Sequence, residues 1–110
     1  MRRIALAAMM MPAMAFAESW LPLTGDEVRS ALEARTLIYD NGARQEFLPS
    51  GRTLYSAGED SWGYWRVEGD RYCSTWPPSD LWACYALERS GDKLRFVGAS
   101  GDVIQGVYAE

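Results

Sequence analysis

Histidine is absent from the 110-residue chain, and all five methionines (Met1, Met9, Met10, Met11 and Met14) precede residue 15. Beyond that point imidazole catalysis, imidazole metal ligation and thioether ligation are excluded. Lysine occurs once, at Lys93, so a serine nucleophile would depend on Lys93 or a carboxylate as its base. There is no Gly-x-Ser-x-Gly elbow, no glycine loop that cradles phosphate before a helix, and no aspartate spacing of a calcium loop. No catalytic group, cofactor or metal is therefore expected. Cysteine is confined to Cys73 and Cys84, and no apolar run approaches the roughly 20 residues that span a bilayer.

The longest apolar run, Ile4 to Met14, follows Arg2-Arg3 and precedes Ala15-Phe16-Ala17. A positive start, a short apolar stretch and a small-x-small end predict an export signal over 1–17, cleaved after Ala17. Residues 18–110 are then one small domain, periplasmic or secreted, with no membrane span left. Losing Arg2 and Arg3 takes the formal charge from −4 to −6, which disfavours nucleic acid and anionic membranes as partners. A domain of this size buries only roughly 60–65% of its unfolded surface, so a covalent staple and a monomer or weak dimer are expected.

Within that domain Thr24-Gly25-Asp26-Glu27 has the form of a capping box, and Val28, Ala31 and Leu32 share one face, predicting a helix over 25–34. From Thr36 onward, runs rich in β-branched and aromatic residues alternate with turn dipeptides. Eight strands are expected, at 36–40, 44–48, 53–57, 62–68, 71–76, 81–88, 93–98 and 103–108. Together they form an antiparallel meander, mainly β, as a small barrel or strongly curved sheet with one N-terminal helix. Asn41-Gly42 predicts a type I′ turn, and Ser50-Gly51, Gly69-Asp70, Ser90-Gly91 and Ser100-Gly101 predict further turns.

Two-residue turns at Gly69-Asp70 and Ser90-Gly91, with Pro77 to Asp80 between them, set a register. Val67 faces Tyr72, Trp65 faces Ser74, Tyr72 faces Tyr85, Leu87 faces Leu94 and Tyr85 faces Phe96. One face then carries Trp65, Val67, Tyr72, Trp76, Leu81, Ala83, Tyr85, Leu87, Leu94 and Phe96, the pattern of a half-buried sheet. Gln45 and Glu46 beside Phe47 and Leu48 leave the first hairpin less clearly two-faced. Cys73 and Cys84 fall opposite one another, predicting a cross-strand disulfide in place of a redox pair or metal site.

Aromatics are the one excess, with five Trp and six Tyr in the chain. Most belong to a core, while Trp62, Trp76 and Trp82 are candidates for an exposed platform that contacts a ligand or partner. Glu59 and Asp60, in the acidic loop Gly58-Glu59-Asp60-Ser61, are candidates for partner contact. With Glu68, Asp70 and Asp80 they are also the acids available for hydrolysis.

The run Gly63-Tyr64-Trp65-Arg66-Val67-Glu68-Gly69-Asp70-Arg71-Tyr72-Cys73, the later Cys84, Gly91-Asp92-Lys93-Leu94-Arg95-Phe96 and the opening Leu23-Thr24-Gly25 resemble a pattern in small exported bacterial β-proteins of uncharacterised function. Its G-x-W-x-V-x-G-D-x-x-C motif is structural and transfers no catalytic residue. The plan is also similar to lipocalin-like barrels and to periplasmic hydrolase inhibitors, which implies an exported, non-enzymatic binding protein for a small molecule or an envelope protein. The alternatives are an inhibitor of an envelope hydrolase and a carboxylate-based hydrolase. A binder requires a lined cavity, an inhibitor a filled core with a protruding loop, and a hydrolase two carboxylates in one pocket.

Overall fold

The computed structural model of the protein describes residues 18–110, and the expected export signal lies outside them. A two-residue strand, β1 (Leu21–Pro22), precedes helix α1 (Gly25–Leu32). Eight strands follow: β2 (Arg35–Tyr39), β3 (Arg44–Phe47), β4 (Arg52–Ser56), β5 (Asp60–Glu68), β6 (Arg71–Thr75), β7 (Ala83–Ser90), β8 (Lys93–Val97) and β9 (Val103–Tyr108). From β2 to β9 each strand pairs antiparallel with the next, and β9 returns to pair with β2. The meander is thus a closed barrel, which leaves none of these eight strands as a free edge along its length. Strand β1 lies outside the ring and pairs with the part of β7 that runs past β6. No helix among the described residues is long and apolar enough to cross a membrane.

Two turn designs build most of the barrel. In Tyr39–Ala43, Leu48–Arg52 and Gly98–Asp102 the first residue donates its N–H to the carbonyl of the last, and the intervening glycine donates back to the first. Those glycines, Gly42, Gly51 and Gly101, have φ of 89°, 93° and 89°, the left-handed position that closes a three-residue hairpin loop. Asn41-Gly42 is therefore not a type I′ turn. Gly42 alone takes positive φ, while Asn41 Oδ1 accepts the Ala43 N–H at 2.9 Å.

Gly69-Asp70 and Gly91-Asp92 follow the second design, two-residue turns with glycine first at φ 59° and 61°. That is where a type II′ turn places glycine. The expected pairs Val67–Tyr72, Trp65–Ser74 and Tyr72–Tyr85 all form. The next hairpin differs, because the turn is Gly91-Asp92 and not Ser90-Gly91, so Phe96 faces Leu87 and the expected Leu87–Leu94 and Tyr85–Phe96 pairs do not form. A two-residue slip keeps every side chain on its face, and Leu87, Leu94 and Phe96 are all buried as expected. Leu81 is not: it precedes β7 in a loop and is 78% exposed.

Helix α1 closes one end of the barrel. Val28, Ala31 and Leu32 are its buried residues, and burying a Val or Leu side chain stabilises by about 1.5–3 kcal/mol. Glu27 accepts the Thr24 N–H at 2.9 Å, completing the capping box. The Gly25 N–H donates to Asp70 Oδ1 at 2.8 Å, and any side chain at Gly25 would strike the Gly69 carbonyl. The helix start is thereby pinned on the β5–β6 turn. It ends two residues earlier than expected because Glu33 is extended and Ala34 adopts φ 62°, which lets the Ala34 N–H reach the Phe47 carbonyl at 2.8 Å. Phe47, fully buried, meets the rings of Trp65 and Tyr72 edge-on at 5.7 Å each.

Cys73 and Cys84 are directly paired across β6 and β7 and form a disulfide. Closing a loop of this length stabilises by about 2–3 kcal/mol. The Cys73→Ser/Cys84→Ser double variant is expected to lose that amount in urea unfolding, and an unchanged midpoint would show that barrel closure already orders the hairpin without the bond.

Candidate functional site

The end of the barrel opposite α1 is open. Its inward positions on alternating residues are Tyr39, Gln45, Tyr55, Tyr72, Ser74, Trp76, Tyr85, Phe96 and Ile104, which surround a cavity of about 520 Å³. Asn41, Ser61, Trp62 and Pro77 border the mouth. None of these residues carries a formal charge. The volume lies within the roughly 300–1,000 Å³ typical of small-molecule sites.

The floor is a connected polar cluster. Thr53 Oγ1 donates to the Glu46 carbonyl at 2.7 Å, so its one proton is spent and it can only accept from Gln45 at 2.9 Å. That places the Gln45 amide nitrogen toward Thr53, where its second N–H reaches the Tyr72 hydroxyl at 3.0 Å. The Gln45 oxygen then faces Tyr39, whose hydroxyl donates to it at 2.6 Å. Gln45 is 5% exposed and Thr53 fully buried, and breaking one of these bonds would leave its partner unsatisfied at about 1–3 kcal/mol.

Two glycines make room for the wall. A Cβ on Gly63 would lie 2.6 Å from Trp76 Cε3, and one on Gly106 would lie 2.9 Å from Tyr39 Cδ1. The Trp76 ring therefore lies flat against the β5 backbone, its Nε1–H donating to Ser74 Oγ at 3.3 Å, with Tyr55 edge-on at 6.1 Å. Tyr85 and Phe96 complete the far side, edge-on at 6.4 Å.

Of the aromatics singled out in the sequence, only Trp76 sits inside the cup. Trp62 is 44% exposed at the mouth with the Arg52 guanidinium 4.2 Å from its ring centre. Trp82, half-buried, carries the Arg66 guanidinium at 3.8 Å, and the three indoles form no common platform. Glu59, in the β4–β5 loop, and Asp60, the first residue of β5, are exposed and lie outside the cavity lining. Asp60 accepts from Ser56 Oγ at 2.8 Å and so closes the end of its own hairpin. Glu68 lies beside Cys73 and Cys84, but bonded sulfurs offer a metal no thiolate. Gln45, Tyr39, Tyr55 and Ile104 were missed by sequence reasoning. The available signal for Gln45 was the period-two run Ala43, Gln45, Phe47, all buried, between exposed Arg44 and Glu46.

Comparison with protein-family models, with curated proteins and with solved structures gives no match in any of the three.

Burial pushes the phenols of Tyr39 and Tyr72 well above the ordinary value of 10.0; nearby tyrosines add to the effect on Tyr39, while hydrogen bonds from Ser74 and Gln45 partly offset it at Tyr72. The native state then holds these protons where the unfolded chain releases them. The stability these two groups contribute is fully present below about pH 10 and is lost as pH rises beyond it. Urea midpoints taken across that range are expected to fall less steeply in Tyr39→Phe than in the wild type, and equal slopes would contradict the assignment. Gly63→Ala is expected to displace Trp76 and change the near-ultraviolet circular dichroism while the far-ultraviolet spectrum is retained. An unaltered aromatic spectrum would contradict the tight seating of that ring.

Proposed function

We propose that the protein is an exported, non-enzymatic binding protein whose barrel mouth receives a small ligand. The observation that carries this reading is an open cavity of about 520 Å³ with a polar floor, aromatic walls and no charged lining residue. An inhibitor that works through a protruding loop has no use for such a cavity. A carboxylate hydrolase needs two acids in one concave site; no acid lines this cavity, and of the acids that share a second hollow beside α1, Asp26, Glu27 and Asp92, Glu27 is committed to capping the helix. Export is supported by the N-terminal sequence pattern and is consistent with a cross-strand disulfide, which persists in oxidising compartments. The acidic net charge argues against nucleic acid as the partner, and the size of the domain suits a monomer or weak dimer.

Ile104, at the mouth and 43% exposed, is the position at which a larger side chain obstructs entry with little cost to the core. Native mass spectrometry of protein isolated from the periplasm is expected to show an added mass that vanishes on denaturation and is absent from Ile104→Trp. A bare wild-type mass, or an adduct that survives in Ile104→Trp, would count against binding in the cup.

A further inference from the structure

Resting on that reading, we infer that the cup takes a neutral, flat aromatic molecule that presents a hydrogen-bond acceptor, a carbonyl oxygen or ring nitrogen, to Tyr72 and Ser74. The inference follows from a count of protons on the floor. The Thr53 proton goes to the Glu46 carbonyl, the Tyr39 proton to the Gln45 oxygen, and both Gln45 amide protons to Thr53 and Tyr72. The Trp76 indole proton goes to Ser74 Oγ. The hydroxyl protons of Tyr72 and Ser74 are left, with Ser74 facing the Tyr72 oxygen. Both residues are 4% exposed, and both line the cup. Two hydroxyls can spend at most one proton on each other, so at least one donor is left facing the cavity without a protein acceptor.

A buried donor without a partner favours a guest that supplies an acceptor at that point, because a guest lacking one leaves the donor desolvated. A carboxylate would also accept, but the lining holds no cation to offset its charge and the chain is acidic overall. Burying an unpaired charge costs far more than burying a neutral carbonyl. The walls set the shape: Tyr55, Trp76, Tyr85 and Phe96 present ring faces and edges, which favour stacked or edge-on aromatic guests over flexible alkyl chains.

Equilibrium dialysis near neutral pH with coumarin, naphthalene, 1-naphthoate and dodecanoate separates these features. Coumarin is expected to bind tightest, about tenfold tighter than naphthalene, the effect of one well-placed hydrogen bond. The Tyr72→Phe/Ser74→Ala variant is expected to lose that tenfold preference, and an unchanged far-ultraviolet circular dichroism spectrum shows that the barrel is still folded. Equal binding of coumarin and naphthalene would overturn the acceptor assignment. Tighter binding of 1-naphthoate or dodecanoate would overturn the ligand class and leave the cup as a binding site. If none of the four binds and the native mass is bare, both the class and the proposed function fall.

Discussion

A buried carboxamide offers two donors and an acceptor and has no water to satisfy them. Gln45 meets this requirement by drawing Thr53, Tyr72 and Tyr39 to it from three other strands, β4, β6 and β2. Those four side chains span the barrel at one level and divide it. Toward α1, the helix residues Val28 and Leu32 join Leu37, Phe47, Leu87 and Leu94 in a filled apolar core. Toward the other end the interior holds rings set back against the wall. A leucine at position 45 would be easier to bury and would leave three hydroxyls without their common partner, so the polar cluster fixes the height of the floor as well as its chemistry.

The asymmetry between the two ends comes from unequal filling. On the helix side, Gly25 allows the helix start to approach the β5–β6 turn closely, and Tyr108 donates its hydroxyl to the Ala31 carbonyl at 2.8 Å. On the open side, Gly63 and Gly106 remove side-chain volume under Trp76 and Tyr39, so that these large rings line the cavity instead of crossing it. The same residue type thus seals one end and widens the other.

Much of this architecture was legible in the sequence. Runs of β-branched and aromatic residues between turn dipeptides marked the strands, and the Gly69-Asp70 and Pro77–Asp80 turns set the β5–β7 register that brings Cys73 opposite Cys84. The departures have specific physical causes. The β7–β8 turn follows the position of glycine in a type II′ turn and not the Ser-Gly dipeptide, and the β2–β3 loop uses one left-handed glycine where two positive φ values were expected. The site was harder to read because its principal residue is polar. An inward glutamine breaks the hydrophobic pattern, and its justification lies in Thr53, Tyr72 and Tyr39, 8, 27 and 6 residues away. Trp62 and Trp82 stood out in the sequence as exposed indoles, yet each is matched by an arginine on the barrel exterior.

The orientation of the Gln45 amide decides whether the floor offers the cavity a proton. If the nitrogen faces Thr53 and Tyr72, the hydroxyls of Tyr72 and Ser74 retain a donor for a guest; if it faces Tyr39, the count changes and the preference for an acceptor loses its basis. The measurement that tests this most directly is the nuclear Overhauser pattern of the Gln45 side-chain amide protons. Contacts to the Thr53 side chain and the Tyr72 ring are predicted, and a dominant contact to the Tyr39 ring would contradict the arrangement on which the floor's chemistry depends.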